Sequence, residues 1–186
     1  MVTTIEKYPL EKRKIIKKTI KATFSLYVLS FILFSIGSSW YHFINKENYE
    51  FSPIINFLLY PFFEFLNFLY EIKIYLIILL AIYPIFKFLY EVEYFKTYFY
   101  DVREGFLIIK KGVFMPRETI LPYEKIQDVY VDQDLFDRIF NLYDVHVSTA
   151  TILSGIEAHI DGVNKKNAEA IREIILENIR KSKMKS

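Results

Sequence analysis

Three histidines, His42, His146 and His159, are the side chains best suited to proton transfer or metal binding near neutral pH. Cysteine is absent from the sequence, which excludes a thiolate ligand, a cysteine nucleophile and a disulfide framework. A nucleophile needs an adjacent base and a group that orients it. The serines are scattered, and the chain has no Gly-x-Ser-x-Gly, no phosphate-binding loop and no His-Glu-x-x-His. No enzyme, cofactor or small-molecule substrate is expected.

Two of the histidines fall in alternating apolar and polar segments, residues 143–149 and 155–163, which predict a hairpin. Facing Val145 with Ile160, Val147 with Ala158 and Thr149 with Ile156 places His146 opposite His159 on the outer face, and Ser148 opposite Glu157. Two imidazoles beside one carboxylate do not complete a metal site, so both are expected to be solvated strand residues, with no metal. The cations Lys110, Lys111 and Arg117 surround a turn at 112–116 and are candidates for contact with lipid headgroups or a partner. Glu104, Glu118 and Glu124 dilute them, and residues 91–186 carry 14 Lys+Arg against 16 Asp+Glu. That balance favours a solvated face. A net charge of +2 for the whole chain also argues against a nucleic-acid partner.

The elements that carry these residues divide the sequence in two. Residues 22–41 are 20 in a row without Asp, Glu, Lys, Arg or His. As a helix they reach about 30 Å, a hydrocarbon thickness. A polar leader of 21 residues precedes the run, which suits an anchor better than a cleavable signal. A second apolar run, 74–86, spans once it extends to Tyr90 and Lys87 snorkels. The expected spans are therefore about 22–44 and 72–90. Between them, Asn56, Tyr60, Glu64, Asn67 and Glu71 form a narrow polar stripe at helical spacing, which predicts an interfacial helix over 53–70. An intramembrane role for Glu64 is the competing reading. Lys7, Lys12, Arg13, Lys14, Lys17, Lys18 and Lys21 precede the first span. Read as a topology signal, they place both termini in the cytoplasm of a multi-pass cell-membrane protein. The same leader is also placed to face anionic headgroups.

After Tyr90 the pattern becomes that of a small β domain. Strands are expected over 94–102, 106–113, 117–123 and 125–133, the last with a bulge between Ile126 and Val129. Leu135, Phe136, Ile139 and Phe140 have helical spacing behind Asp134, a suitable N-cap. Ile126, Val129, Leu135, Ile139 and Val147 are expected in the core. A closing amphipathic helix starts at Asn164 and buries Ala168, Ile171, Ile174, Ile175 and Ile179. The domain is expected over 94–181, with 182–186 as a tail.

The stretch 100–150 resembles the core of the prokaryotic, membrane-anchored pleckstrin-homology-like domain family. The resemblance rests on Leu107-Ile108-Ile109-Lys110-Lys111-Gly112, then Leu121-Pro122-Tyr123, Ile126-Gln127-Asp128-Val129, Gln133, Leu135, Arg138 and the run 145–150. It covers roughly residues 22–181. It implies an α+β fold, a two-helix transmembrane hairpin followed by an antiparallel β barrel or sandwich capped by a C-terminal helix. It also implies an interaction or assembly module with the bilayer, another membrane protein or a second copy as partner, or alternatively a headgroup-binding module. The motif residues Gly112, Pro122, Ile126, Gln127, Val129, Gln133 and Arg138 are expected to be mostly structural, with Arg138 placed to tie the short helical turn to Asp134, to Asp137 or to backbone carbonyls. Asn141 stands where the family commonly has Gly, and Asn tolerates the left-handed backbone such a turn needs.

Overall fold

The computed structural model describes residues 2–46, 60–62, 64–65, 68, 71, 73–149 and 158–185. The elements are α1 (Thr4–Lys7), α2 (Arg13–Lys46), α3 (Lys73–Thr97), β1 (Phe99–Arg103), β2 (Phe106–Lys111), β3 (Arg117–Pro122), a 3-10 turn (Tyr123–Lys125), β4 (Ile126–Asp132), α4 (Leu135–Phe140), β5 (Tyr143–Thr149), β6 (His159–Val163) and α5 (Lys165–Lys185). They form two compact units. One comprises Met1–Thr19 and Phe88–Ser186, the other Ile20–Lys87.

The Ile20–Lys87 unit contains most of α2 and α3. Both helices include a segment long and apolar enough to cross a membrane. Their apolar side chains are largely exposed, and the Tyr27 hydroxyl donates to the Leu80 carbonyl at 3.0 Å. Of the expected interfacial helix over 53–70, Tyr60, Pro61, Phe62, Glu64, Phe65 and Phe68 are described, as helical residues; the remainder lies outside the described residues.

The other unit is the β domain. Sheet order is β1-β2-β3 in one sheet and β4-β5-β6 in the other, all pairs antiparallel. Among the described residues no strand pairing joins the two sheets, so the expected barrel is not closed. They share one core, in which Tyr100, Leu107, Ile109 and Leu121 meet Val129, Val145, Val147 and Ile160, with Ala168, Ile171 and Ile175 of α5 closing it. The residues of α5 recur at three- and four-residue steps, which gives the helix one apolar stripe for the sheets. Asn164 caps it, accepting from the Asn167 N–H at 2.9 Å.

Local rules account for the turns. Asp134 accepts from the Asp137 N–H at 2.7 Å, and Asp137 Oδ2 accepts from the Asp134 N–H at 3.2 Å, a reciprocal cap on α4. Asn141 ends that helix at φ 53, the left-handed conformation expected of it. The bulge in β4 falls between Ile126 and Asp128, and Val145↔Ile160 and His146↔His159 hold the expected register.

Two expectations are corrected. Residues 94–97 are the last turn of α3, not the first of a strand. Tyr90, Tyr94 and Tyr98 sit at four-residue steps, the first pair stacked with ring centroids 6.2 Å apart and the second edge-on at 5.9 Å, contacts that favour helix where aromatic content alone suggests strand. Leu135 and Ile139 are exposed rather than core. Helical spacing shows that they share a face, but not which way it turns. Asp137, not an apolar neighbour, is the α4 side chain that turns inward.

Candidate functional site

Residues 2–19, the basic leader of the sequence, belong to the same unit as the β domain. Leu10 is in the core, the Tyr100 hydroxyl donates to the Tyr8 carbonyl, and the Thr4 N–H donates to Asp101 Oδ1 at 2.9 Å. The Glu11 N–H donates to the Gly162 carbonyl at 2.8 Å. This strap delivers lysines to the acidic residues of β5, β6 and α4.

Lys14 Nζ lies 2.8 Å and Lys18 Nζ 2.6 Å from the two oxygens of Asp161. Lys17 Nζ lies 2.5 Å from Asp137 Oδ1 and 3.7 Å from Asp144 Oδ2. Lys14 Nζ also sits 3.7 Å from the centre of the Tyr98 ring, a cation–π contact. Burial alone would raise the Asp161 carboxyl, but Lys14, Lys18 and Lys111 hold it well below the usual range. Asp144 is pushed up to about 6, by burial first and then by Asp161 and Asp137. The leader lysines 14, 17 and 18 are thus engaged inside the domain, not against headgroups. These pairs are the main feature that sequence reasoning missed. Each joins residues more than a hundred positions apart, and no local pattern reports such a pairing.

A second row lies on the sheet β4-β5-β6. Tyr130 stacks on His146 with centroids 5.0 Å apart, and His146 on His159 at 5.5 Å. His146 Nε2 lies 3.1 Å from Asp132 Oδ1, and Lys111 Nζ donates to His159 Nδ1 at 3.2 Å. His159 is lowered to about 4 by burial and by Lys111, so it is neutral at physiological pH. The histidines are partners in a stack, not solvated as expected. Among the described residues no three His, Asp or Glu side chains are grouped to hold a metal.

The three candidate cations do not share one face. Lys111 pairs in register with Arg117 across β2 and β3, whereas Lys110 pairs with Glu118 on the opposite side. Lys111 faces inward, and burial lowers it to about 8, with Lys14 and Lys18 adding to the shift. With Arg117, His159, Thr119 and Tyr94 it lines a cavity of about 240 Å³. Lys110 is exposed and lines a second, open depression with Arg103 and Glu118.

The motif residues divide by role. Ile126 and Val129 are core, and Pro122 ends β3 before the 3-10 turn. Gln133 Nε2 donates to the Leu142 carbonyl at 2.6 Å and braces the α4 turn. Gln127 and Arg138 are exposed. Asp137 is engaged by Lys17. Gly112 has φ 120, and a Cβ there would lie 2.7 Å from the Met115 carbonyl oxygen, so the β2–β3 turn requires glycine.

Two antiparallel three-stranded sheets sharing a core with a C-terminal helix, in a chain with two long apolar helices, define a pleckstrin-homology-like domain joined to a helical segment. The chain belongs to the bacterial PH domain family, whose model matches residues 25–179. No curated protein and no solved structure matches it significantly. The strap lies outside the matched residues, yet it supplies the counter-charges for Asp137, Asp144 and Asp161 inside them.

Proposed function

We propose that the chain is an integral membrane protein whose two apolar helices hold the PH domain at the cytoplasmic face. There the domain serves as a non-enzymatic interaction or assembly module for another membrane protein or a second copy. The observation that carries this reading is on α4. Leu135 and Ile139, one turn apart, are 76% and 73% exposed. Paired exposed aliphatics of this kind are characteristic of contact surfaces. The strap and the β domain form one unit, which supports an even number of crossings between Thr19 and Phe88. The lysine-rich start supports the cytoplasmic side.

The test is site-specific photo-crosslinking from position 135 in the native membrane, with position 124 as control. Adducts are expected at 135 alone. The double change Leu135→Asp and Ile139→Asp should abolish them while leaving carbonate-resistant insertion and the thermal midpoint unchanged. Equal adducts at both positions would count against an α4 surface.

A second reading, an anionic headgroup bound at the membrane surface, is favoured by the cavity between Lys111, Arg117 and His159. It predicts that binding of a soluble short-chain anionic lipid to the detergent-solubilised full chain depends on Lys111 and Arg117, with Lys110→Ala nearly silent.

A further inference from the structure

The β2–β3 hairpin ends in an apolar tip. Phe114 and Met115 are 87% and 84% exposed, the most exposed large apolar side chains among the described residues of the β domain. The turn is shaped to hold them outward, since Gly112 lets the chain fold tightly on the Met115 carbonyl. Both tip residues are costly to leave in water. Exposed cations flank them, Lys110 on β2 and Arg117 on β3.

The tip meets the end of α3, which from Phe88 onward belongs to the same unit. The Phe114 ring lies 6.4 Å from the Tyr90 ring, centroid to centroid. Tyr90 is the last of the exposed apolar residues on α3; Glu91, next along, is buried and Tyr94 half-buried against the domain. A tyrosine that closes an apolar membrane run belongs at the level of the headgroups and upper acyl chains. A side chain packed on it shares that depth.

We propose that the β2–β3 tip is a membrane wedge: Phe114 and Met115 enter the interfacial layer of the bilayer beside Tyr90, with Lys110 and Arg117 at headgroup level. The contact rests on the anchored reading above. It differs from headgroup recognition because it needs apolar insertion and no specific lipid.

The natural chain has no cysteine, so single-cysteine variants report one position each. Phe114→Cys, Met115→Cys and, as control, Leu135→Cys would carry an environment-sensitive fluorophore. The labelled full-length chains would be reconstituted in phosphatidylethanolamine–phosphatidylglycerol vesicles containing a nitroxide-labelled lipid. Blue-shifted emission at 114 and 115, with nitroxide quenching several-fold stronger than at 135, is the expected result. Water-like emission at 114 and 115 in carbonate-resistant protein overturns the wedge and leaves the anchor standing. Blue-shifted emission without nitroxide quenching overturns it in favour of a protein contact. Extraction of the chain by carbonate overturns the anchored reading and the wedge with it.

Discussion

Lys14 Nζ and Asp161 Oδ1 are 2.8 Å apart, with both side chains almost completely buried, at 2% and 3% exposure. The pair joins the strap to β6 and couples the start of the chain to its last strand. Such a bond contributes little net stability when intact, because burying each charge costs several kcal/mol. Breaking it is a different matter. Asp161→Asn leaves Lys14 and Lys18 facing Lys111 without the shared carboxylate. The expected loss is about 3–5 kcal/mol, the usual cost of an orphaned buried charge. Combining it with Lys14→Met should recover part of that loss. Denaturant unfolding of the full chain in detergent measures both, and an additive or worse double variant would show that the pair is not the origin of the loss.

Gly162 makes room for that lysine. It has φ 79, and a Cβ there would lie 2.6 Å from Lys14 Cδ and 2.8 Å from Lys14 Cβ. Gly162→Ala should therefore destabilise on two counts, with the backbone strain alone on the order of 1–3 kcal/mol. The steric part depends on Lys14 being present. In a Lys14→Gly background, which removes Cβ, Cγ and Cδ together, the added cost of Gly162→Ala should shrink to the strain component, which a double-mutant cycle reads directly. An unchanged increment would mean that the methyl does not meet Lys14.

Acid acts on this region through opposed groups, of which His159 and Asp144 titrate nearest neutrality. His159 has a folded value of about 4, below the ordinary 6.5. The unfolded chain takes up that proton first, so stability present above 6.5 is lost as pH falls toward 4. Asp144 has a folded value of about 6, above the ordinary 3.8. Here the folded chain takes up the proton first, so stability is gained as pH falls from 6 toward 3.8. The two contributions have opposite signs in the natural chain. His159→Gln should leave a protein whose thermal midpoint rises relative to the natural chain across that window, and Asp144→Asn one whose midpoint falls. Three superimposable pH profiles would contradict the opposition.

What was legible in the sequence follows the range of the interactions. The Asp134 cap, the left-handed Asn141, the bulge after Ile126 and the His146–His159 register depend on neighbours within a few residues or on simple alternation. The outward turn of Leu135 and Ile139 was not legible, since periodicity identifies a face without assigning it to core or solvent. The separation of Lys110 from Lys111 follows from strand alternation and was open to inference; the inward position of Lys111 depends on His159, far along the chain. The lysines of the strap satisfied a topology rule so well that their pairing with Asp137, Asp144 and Asp161 had no separate signature.

The strap also decides what counts as the domain. A fragment beginning at the β strands, or even at Phe88, lacks Leu10, Lys14, Lys17 and Lys18. It would bury Asp161 and Asp137 without the ammonium groups that balance them, and expose the core beneath Leu10. Residues 88–186 alone should therefore fail to unfold cooperatively and should bind a dye for exposed apolar surface. A chimera in which a flexible linker replaces residues 20–87, so that 2–19 is rejoined to 88–186, restores every one of these partners. It should be a soluble monomer or a defined oligomer with a sharp thermal transition, and Lys14→Ala within it should lower the midpoint. Calorimetry of the two proteins side by side is decisive: a cooperative 88–186 fragment of equal midpoint would show that the strap is dispensable.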